Sequence, residues 1–271
     1  MDFTKIINDT ITEPWGARKR DPHVFWPSEA SMVVGDHIIG KCHRAAFYSC
    51  NGISATNPID PKSIRKMEAG RAIEQNEHKF AEAAGILVGK NIKARKTYPD
   101  GLIISAEIDA VYAHEEQEFI IEIKSIGGYY ARKSVFGGAR TSGAPKEDHL
   151  LQTMLYLDIF PKYGEAIIRY IDRTDCDTME YVISLFDLEG VTMLAVDGQP
   201  HPDFSLQRIM ARYKSLDAYI SSDTLPPRDY CIKYSAEQKR AINRTLKTKT
   251  TRVRDWQCSY CRFQSRCLKD G

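Results

Sequence analysis

No stretch of this 271-residue chain approaches the ~20 consecutive apolar residues that a membrane-crossing helix needs. Its opening, MDFTKIINDTITEPWGARKR, lacks the apolar core of a secretory leader. These two absences predict a cytoplasmic protein that does not engage a membrane. No internal repeat is visible, so a repeat array is excluded. An even cysteine count is missing as well: there are seven, which in an intracellular chain argues against a disulfide framework and for metal ligation or free thiols. Acids are absent from Gln238 to Arg254, QKRAINRTLKTKTTRVR, where seven residues are Lys or Arg. The net charge of +2 hides this concentration of positive charge.

What is present is a globular composition, 42% hydrophobic and 27% charged, with enough apolar residues for a sizeable core. The length suits one large α/β domain, and no composition shift marks an internal boundary. Residues 28 to 50 read as a helical stretch opened by Ser28 and carrying Cys42. Residues 62 to 84 read as a longer helix containing Gly70, Glu74 and His78. From Gly101 to Tyr112 the even positions Leu102, Ile104, Ala106, Ile108 and Ala110 are apolar, the period of a half-buried strand. A second strand is expected at 119 to 125, a glycine-rich mobile loop at 127 to 147, and a helix at 147 to 159. A hairpin follows about the polar turn Asp172 to Thr178, then a helix at about 203 to 221.

The two central strands carry acids and a lysine among core isoleucines. A turn centred between Glu115 and Glu116 would pair Asp109 with Glu122 and Glu107 with Lys124, all on one face. Opposed carboxylates destabilise a sheet unless a cation sits between them, and oxygen ligands suit Mg²⁺ or Mn²⁺. Asp109 and Glu122 holding such an ion, with Lys124 beside the same phosphate, is an arrangement for phosphodiester hydrolysis. Charges alternating along a strand are otherwise a solvated face. Glu74, four residues after Gly70 on the preceding helix, offers a third carboxylate, and Gln152 and Tyr156 lie one helical turn apart in HLLQTMLYL.

The order Glu74, Asp109, EIK (Glu122 to Lys124) and HLLQTMLYL resembles the RecB-like branch of the PD-(D/E)XK nuclease superfamily. The resemblance implies a restriction-endonuclease-like core, a mixed central sheet flanked by helices. It implies catalytic roles for Asp109, Glu122, Lys124, Gln152 and Tyr156, the last two contacting or positioning DNA. Metal ligands would be Glu74, Asp109, Glu122 and the Ile123 backbone carbonyl. The family often has His at the first motif; here Glu74 stands there, with His78 one turn on as a further candidate.

The chain closes on DWQCSYCRFQSRC, in which Cys258, Cys261 and Cys267 form C-x2-C-x5-C and require a fourth ligand. Cys42 in GKCHRAAFY is preferred over Cys50, Cys176 and Cys231, though spacing leaves Cys50 and Cys231 open. Four cysteines suit Zn²⁺ or an iron–sulfur cluster equally. An upstream cysteine and this C-terminal triplet bracketing a RecB-like core resemble the CRISPR-associated iron–sulfur nucleases (the Cas-four family) and AddB-type relatives. That resemblance implies a [4Fe–4S] cluster, in a subregion formed by about 28–50 and 239–271 of a single 1–271 nuclease domain. A staple from Cys42 to Cys258 would constrain the unfolded chain.

The basic run Lys239 to Arg254 is suited to phosphate neutralisation, and Tyr129, Tyr130 and Phe136 to stacking on unpaired bases. The expected substrate is therefore DNA, single-stranded or with free ends, cut by an exonuclease in recombination, repair, phage DNA processing or CRISPR adaptation. A helicase, recombinase or CRISPR integrase is the implied partner. Two readings of other classes compete: a catalytically silent DNA-binding module stabilised by a metal-cysteine site, and a zinc-stabilised protein-interaction domain.

Overall fold

The structure, a computed structural model, describes residues 2–12, 21–57, 59–230, 237–242, 245–250 and 255–271. Helix α1 (Phe3–Thr12) precedes a two-residue strand, β1 (Val24–Phe25). Strands β2 (Ser31–Val34) and β3 (His37–Gly40) then form a hairpin closed by Gly35, at φ 55°, and Asp36. Helix α2 (His43–Cys50) starts after Cys42, its N-cap residue. The expected helix over 28–50 is thus corrected. β-Branched Val33, Val34, Ile38 and Ile39 flank a glycine-led two-residue turn, and that local chemistry selects a hairpin.

Helix α3 (Pro61–Ala83) forms where expected: Asp60 accepts the Ser63 N–H at 3.0 Å and Pro61 occupies its first turn. Strands β4 (Leu87–Thr97), β5 (Ile103–His114) and β6 (Gln117–Ile126) make an antiparallel meander. The sequence pattern did not reveal β4, because this outer strand carries Lys90, Lys93, Arg95 and Lys96, a charged edge that discourages further pairing. Between β5 and β6 the turn is Glu115–Glu116, and pairs from Ala110↔Ile121 to His114↔Gln117 follow the expected register.

Helices α4 (Tyr129–Phe136) and α5 (Glu147–Ile159) form the crossover that lets β7 (Glu165–Asp172) run parallel to β6. Helix α4 replaces the first part of the mobile loop expected at 127–147, while 137–146 remain outside any helix or strand. Its Val135 is fully buried, and the Val135 carbonyl accepts the Tyr181 hydroxyl. The glycines that suggested a loop instead bound the helix, Gly128 at φ 94° and Gly137 at φ 79°. Strands β8 (Thr178–Leu188), β9 (Val191–Val196) and β10 (Gln199–Ser205) add antiparallel neighbours, the last two beyond expectation. Helix α6 (Leu206–Ser221) starts three residues later than expected, where the Ser205 side chain accepts the Arg208 N–H. Strands β11 (Glu237–Ile242) and β12 (Thr245–Thr250) pair with each other, and α7 (Trp256–Ser259) and α8 (Gln264–Lys269) follow. Cys231 and the side chains of the basic run from Lys239 to Arg254 lie outside the described residues.

The main sheet runs β1-β5-β6-β7-β8-β9-β10, with β4 on the other edge of β5. It is mixed: β6 lies parallel to β7 and β1 to β5, while the remaining neighbours are antiparallel. One face packs Ile108, Ile120, Ile168 and Tyr170 against α5, which is buried nearly all round. The other face gathers Ala110, Ile121, Ile123 and Ile171 beneath Ile73 of α3. The result is a mixed central sheet flanked by helices. Among the described residues, no helix is long and apolar enough to cross a membrane.

Candidate active site and cysteine cluster

Strand β4 occupies one edge of β5 from Ile103 to Tyr112. The opposite edge is shared: β6 pairs from Ala110 onward and β1 at Ile103 and Ile104. Between these two partners β5 and β6 part. Ile108 and Val111 nevertheless enter the same core, three residues apart, so strict alternation slips around Asp109. The paired register therefore ends one step short of Asp109 and Glu122. Asp109 Oδ2 accepts the Ile123 N–H at 2.8 Å, filling with a side chain the place a ladder carbonyl would take. The expected cross-strand pair of Glu107 and Lys124 does not form, because Glu107 lies beyond the parting and faces Lys93 at 3.4 Å.

On β6, Glu122 is 1% exposed. Its Oε1 is paired with Lys124 Nζ, while its Oε2 is buried with no hydrogen-bond partner. Lys124 Nζ also donates to Gln152 Oε1 at 3.2 Å, and Gln152 Nε2 donates to the Tyr156 hydroxyl at 2.6 Å. One helical turn thus brings Gln152 and Tyr156 onto the strand bearing the E-x-K residues. Burial alone would lower the Lys124 ammonium, but the Glu122 and Asp109 carboxylates outweigh it and hold its pKa above the usual value. Burial, then the charges of Glu122 and Asp109, keep the Tyr156 phenol protonated.

Helix α3 approaches from the other face. A Cβ on Gly70 would lie 3.0 Å from Ser125 Oγ, so the helix crosses the end of β6 closely there. One turn on, Glu74 has its carboxyl raised, by burial and then by the Glu122 charge. The next turn carries His78, 5% exposed, with a hydrogen bond to the Asp109 backbone and an Nε2 atom that has no partner. Asp109 is raised well above the carboxylate range by burial, then by Glu122 and Glu74, against the lowering effect of Lys124 and the Ile123 N–H. The structure therefore brings Glu74, His78, Asp109, Glu122, Ile123, Lys124, Gln152 and Tyr156 together. Among the described residues, however, no three His, Cys, Asp or Glu side chains form a group that could hold a metal ion as they stand. Lys124 lies against the Glu122 carboxylate instead.

Four of the cysteines lie apart from these acids around a common cavity, and they too form no group that could hold a metal ion as they stand. Cys42, Cys258, Cys261 and Cys267 all line one cavity of about 1070 Å³, which extends to Lys146 and Asp148 at the start of α5. The C-terminal helices are seated there by the α2 region. Arg262 carbonyl accepts the Thr56 and Asn57 N–H groups at 2.9 Å, and Tyr48 donates to Asp270 at 2.7 Å. Burial raises Cys42 and Cys261, and burial with the neighbouring cysteines pushes Cys258 up to about 12. Arg228 Nε lies 3.3 Å and Arg44 Nη1 3.9 Å from Cys267 Sγ. Cys50 is buried in the main core and Cys176 is exposed in the β7–β8 turn; neither lines the cavity.

Two side chains adjoin the Lys124 group without having been singled out in the sequence. His149 Nδ1 and the Tyr170 hydroxyl are 2.8 Å apart, and Tyr170 is the parallel-strand neighbour of Lys124. The available signal was spacing: His149 is three residues before Gln152, on the same helix face.

No family model matches the chain, and no curated protein matches it in sequence. Among solved structures, a crystal structure of SSO0001 matches with a TM-score of 0.50 at 13% identity, over 98% of this chain and 96% of that one. The likeness is one of fold.

Proposed function

We propose that this chain is a metal-dependent deoxyribonuclease that hydrolyses phosphodiester bonds, acting as an exonuclease on single strands or ends. One observation carries the reading: Glu122 Oε2, a buried carboxylate oxygen with no hydrogen-bond partner, lies on the strand that supplies Lys124. A buried acceptor of this kind is costly unless a cation or donor reaches it. The residues present suit a hard divalent ion, Mg²⁺ or Mn²⁺, with Asp109, Glu122, the Ile123 carbonyl and Glu74 as ligands and His78 as a further candidate. When bound, such an ion polarises the phosphate and lowers the pKa of a coordinated water. The chain's own part is to hold Lys124 between Glu122 and Gln152, so that its ammonium meets negative charge developing on the phosphate. Tyr156 fixes Gln152, and through it Lys124.

DNA is the proposed polymer. The segment Gly127 to Lys146 carries Lys133, Arg140 and Lys146 and no acid, its Arg132 being held by Asp172, Asp175 and Asp177, and Tyr129 and Tyr130 are 71% and 85% exposed. Phe136 is excluded from stacking, since it lies half-buried under the Arg132 guanidinium. The cysteines suit a [4Fe–4S] cluster or Zn²⁺: on four thiolates either is anionic, which the two guanidinium groups beside Cys267 favour, and the resemblance to the iron–sulfur nucleases puts the cluster first. We place the activity in the cytoplasm, in recombination, repair, phage DNA processing or CRISPR adaptation. There a helicase, recombinase or integrase would deliver the end.

The test is cleavage of end-labelled single-stranded and duplex DNA with Mg²⁺ or Mn²⁺, comparing anaerobically purified wild type with Lys124→Ala. Wild-type cutting with a variant that binds but does not cut supports the reading. If neither cuts while both bind, the chain is a catalytically silent DNA-binding module; a colourless zinc protein that ignores DNA would be an interaction domain.

A further inference from the structure

Strands β6 and β7 set Lys124 directly beside Tyr170. Each side chain reaches the same helix: Lys124 Nζ meets Gln152 Oε1 at 3.2 Å and the Tyr170 hydroxyl meets His149 Nδ1 at 2.8 Å. His149 and Gln152 are three residues apart on α5, so the four side chains close a ring between sheet and helix. The Tyr170 hydroxyl belongs to a fully buried residue and accepts the Lys146 N–H at 3.0 Å. Its own proton needs an acceptor, and His149 Nδ1 is in place to be one.

That hydrogen bond assigns the tautomer: Nδ1 accepts, so Nε2 carries the hydrogen. His149 Nε2 lies 4.0 Å from Asp148 Oδ2, beyond hydrogen-bond range, on a side chain still 16% exposed. Burial, followed by the charges of Lys124 and Lys146, holds the imidazole well below its ordinary range. At neutral pH it is an uncharged donor beside a cation.

We propose that His149 is a further catalytic residue whose Nε2–H donates to a non-bridging oxygen of the phosphodiester held beside Lys124. Tyr170 is its positioning residue. The proposal rests on the nuclease reading above. An uncharged donor adds a directional hydrogen bond to the phosphate without adding a second positive charge that would repel Lys124 or a metal ion.

Two replacements separate the ring atoms. His149→Asn keeps an amide near the Nδ1 position for Tyr170 and has nothing at Nε2, whereas His149→Gln reaches the Nε2 position. The experiment combines three measurements: thermal melting, binding of a phosphorothioate single strand in Ca²⁺, and cleavage in Mg²⁺ or Mn²⁺. His149→Asn is expected to melt close to wild type, bind about 10-fold more weakly and cleave ~10²-fold more slowly, with His149→Gln recovering part of both. Imidazole ¹⁵N spectra should show the Nε2–H tautomer and a shift of that ring when the oligonucleotide is added. Tyr170→Phe should relax the tautomer preference. An Nδ1–H tautomer in wild type, or His149→Asn binding and cutting as wild type does, overturns the role of His149 and leaves the nuclease reading intact. Wild type that neither binds nor cuts overturns both.

Discussion

Asp109 Oδ2 accepts the Ile123 N–H at 2.8 Å at the point where β5 and β6 separate. A carboxylate here replaces a backbone carbonyl, which lets the sheet open while leaving no ladder donor unpaired at Ile123. The same substitution brings a negative charge next to Glu122 and Glu74. The fold accepts that repulsion in exchange for a site.

Asp109→Asn should therefore stabilise the metal-free protein. A carboxyl whose folded pKa lies above its unfolded value binds its proton more tightly in the folded state, so stability falls as pH rises between the two values. Burial and the Glu122 and Glu74 charges put Asp109 in that class. Wild type in EDTA should thus lose stability from about pH 4 upward. Asparagine keeps an acceptor for Ile123 and should flatten that loss, for a gain of about 1 kcal/mol, or ~2–4 °C, at neutral pH. Melting curves across pH check it; an Asn variant less stable than wild type at pH 7 would contradict the account.

Glu122→Gln removes the buried anion and leaves Lys124 without its ion-pair partner. Cleavage should fall roughly 10³-fold, and Mn²⁺ should no longer raise the melting temperature. The metal-dependent shift in melting, read beside wild type, separates loss of the metal site from simple misfolding.

Tyr156→Phe tests the second layer of the network. The lost hydroxyl leaves Gln152 Nε2 without its 2.6 Å partner, at a cost of about 1 kcal/mol in a denaturant titration. Released Gln152 should hold Lys124 less firmly, and cleavage should drop ~10-fold with little change in DNA affinity.

Tyr129 and Tyr130, edge to face at 5.4 Å between ring centres, cover almost no protein surface. Helix α4 that carries them is anchored by Arg132, which reaches Asp172, Asp175 and Asp177. Alanine at both positions should leave stability within about 0.5 kcal/mol and weaken single-stranded DNA binding ~10-fold or more, with duplex binding less affected. Fluorescence anisotropy with both forms of DNA decides this; equal losses for the two would remove the stacking role.

On the proposed metal–cysteine site, Cys42→Ser should bind less metal than wild type and melt at a lower temperature, whereas Cys50→Ser and Cys176→Ser should match wild type in metal content. Iron, acid-labile sulfide and zinc analysis of anaerobic protein identifies the group. Retention of metal by Cys42→Ser would move the fourth ligand elsewhere.

Periodicity and end signals alone located α3, α5, the paired β5 and β6, and the β7–β8 hairpin. Each has a strong local cause: Asp60 and Pro61 at a helix start, alternating apolar residues in β5, or a polar turn between apolar runs. They failed where local chemistry was ambiguous. Gly35 and Asp36 broke the supposed helix before Cys42, Gly128 and Gly137 bounded a helix rather than a loop, and charged β4 carried too few apolar residues to declare itself.

At the site, residue order along the chain was enough to nominate Glu74, Asp109, Glu122, Lys124, Gln152 and Tyr156, because strand alternation and helical spacing are set by covalent geometry. Their assembly was decided by tertiary structure. The register ends at Ala110 and Ile121, so Asp109 and Glu122 are not a simple cross-strand pair, and Glu107 turns to Lys93. His149 became visible only when β7 set Tyr170 beside Lys124. The sequence by itself determined which groups each element could present and at what period; where two strands part and which helix covers the gap depend on packing between residues far apart in the chain, which no local pattern encodes.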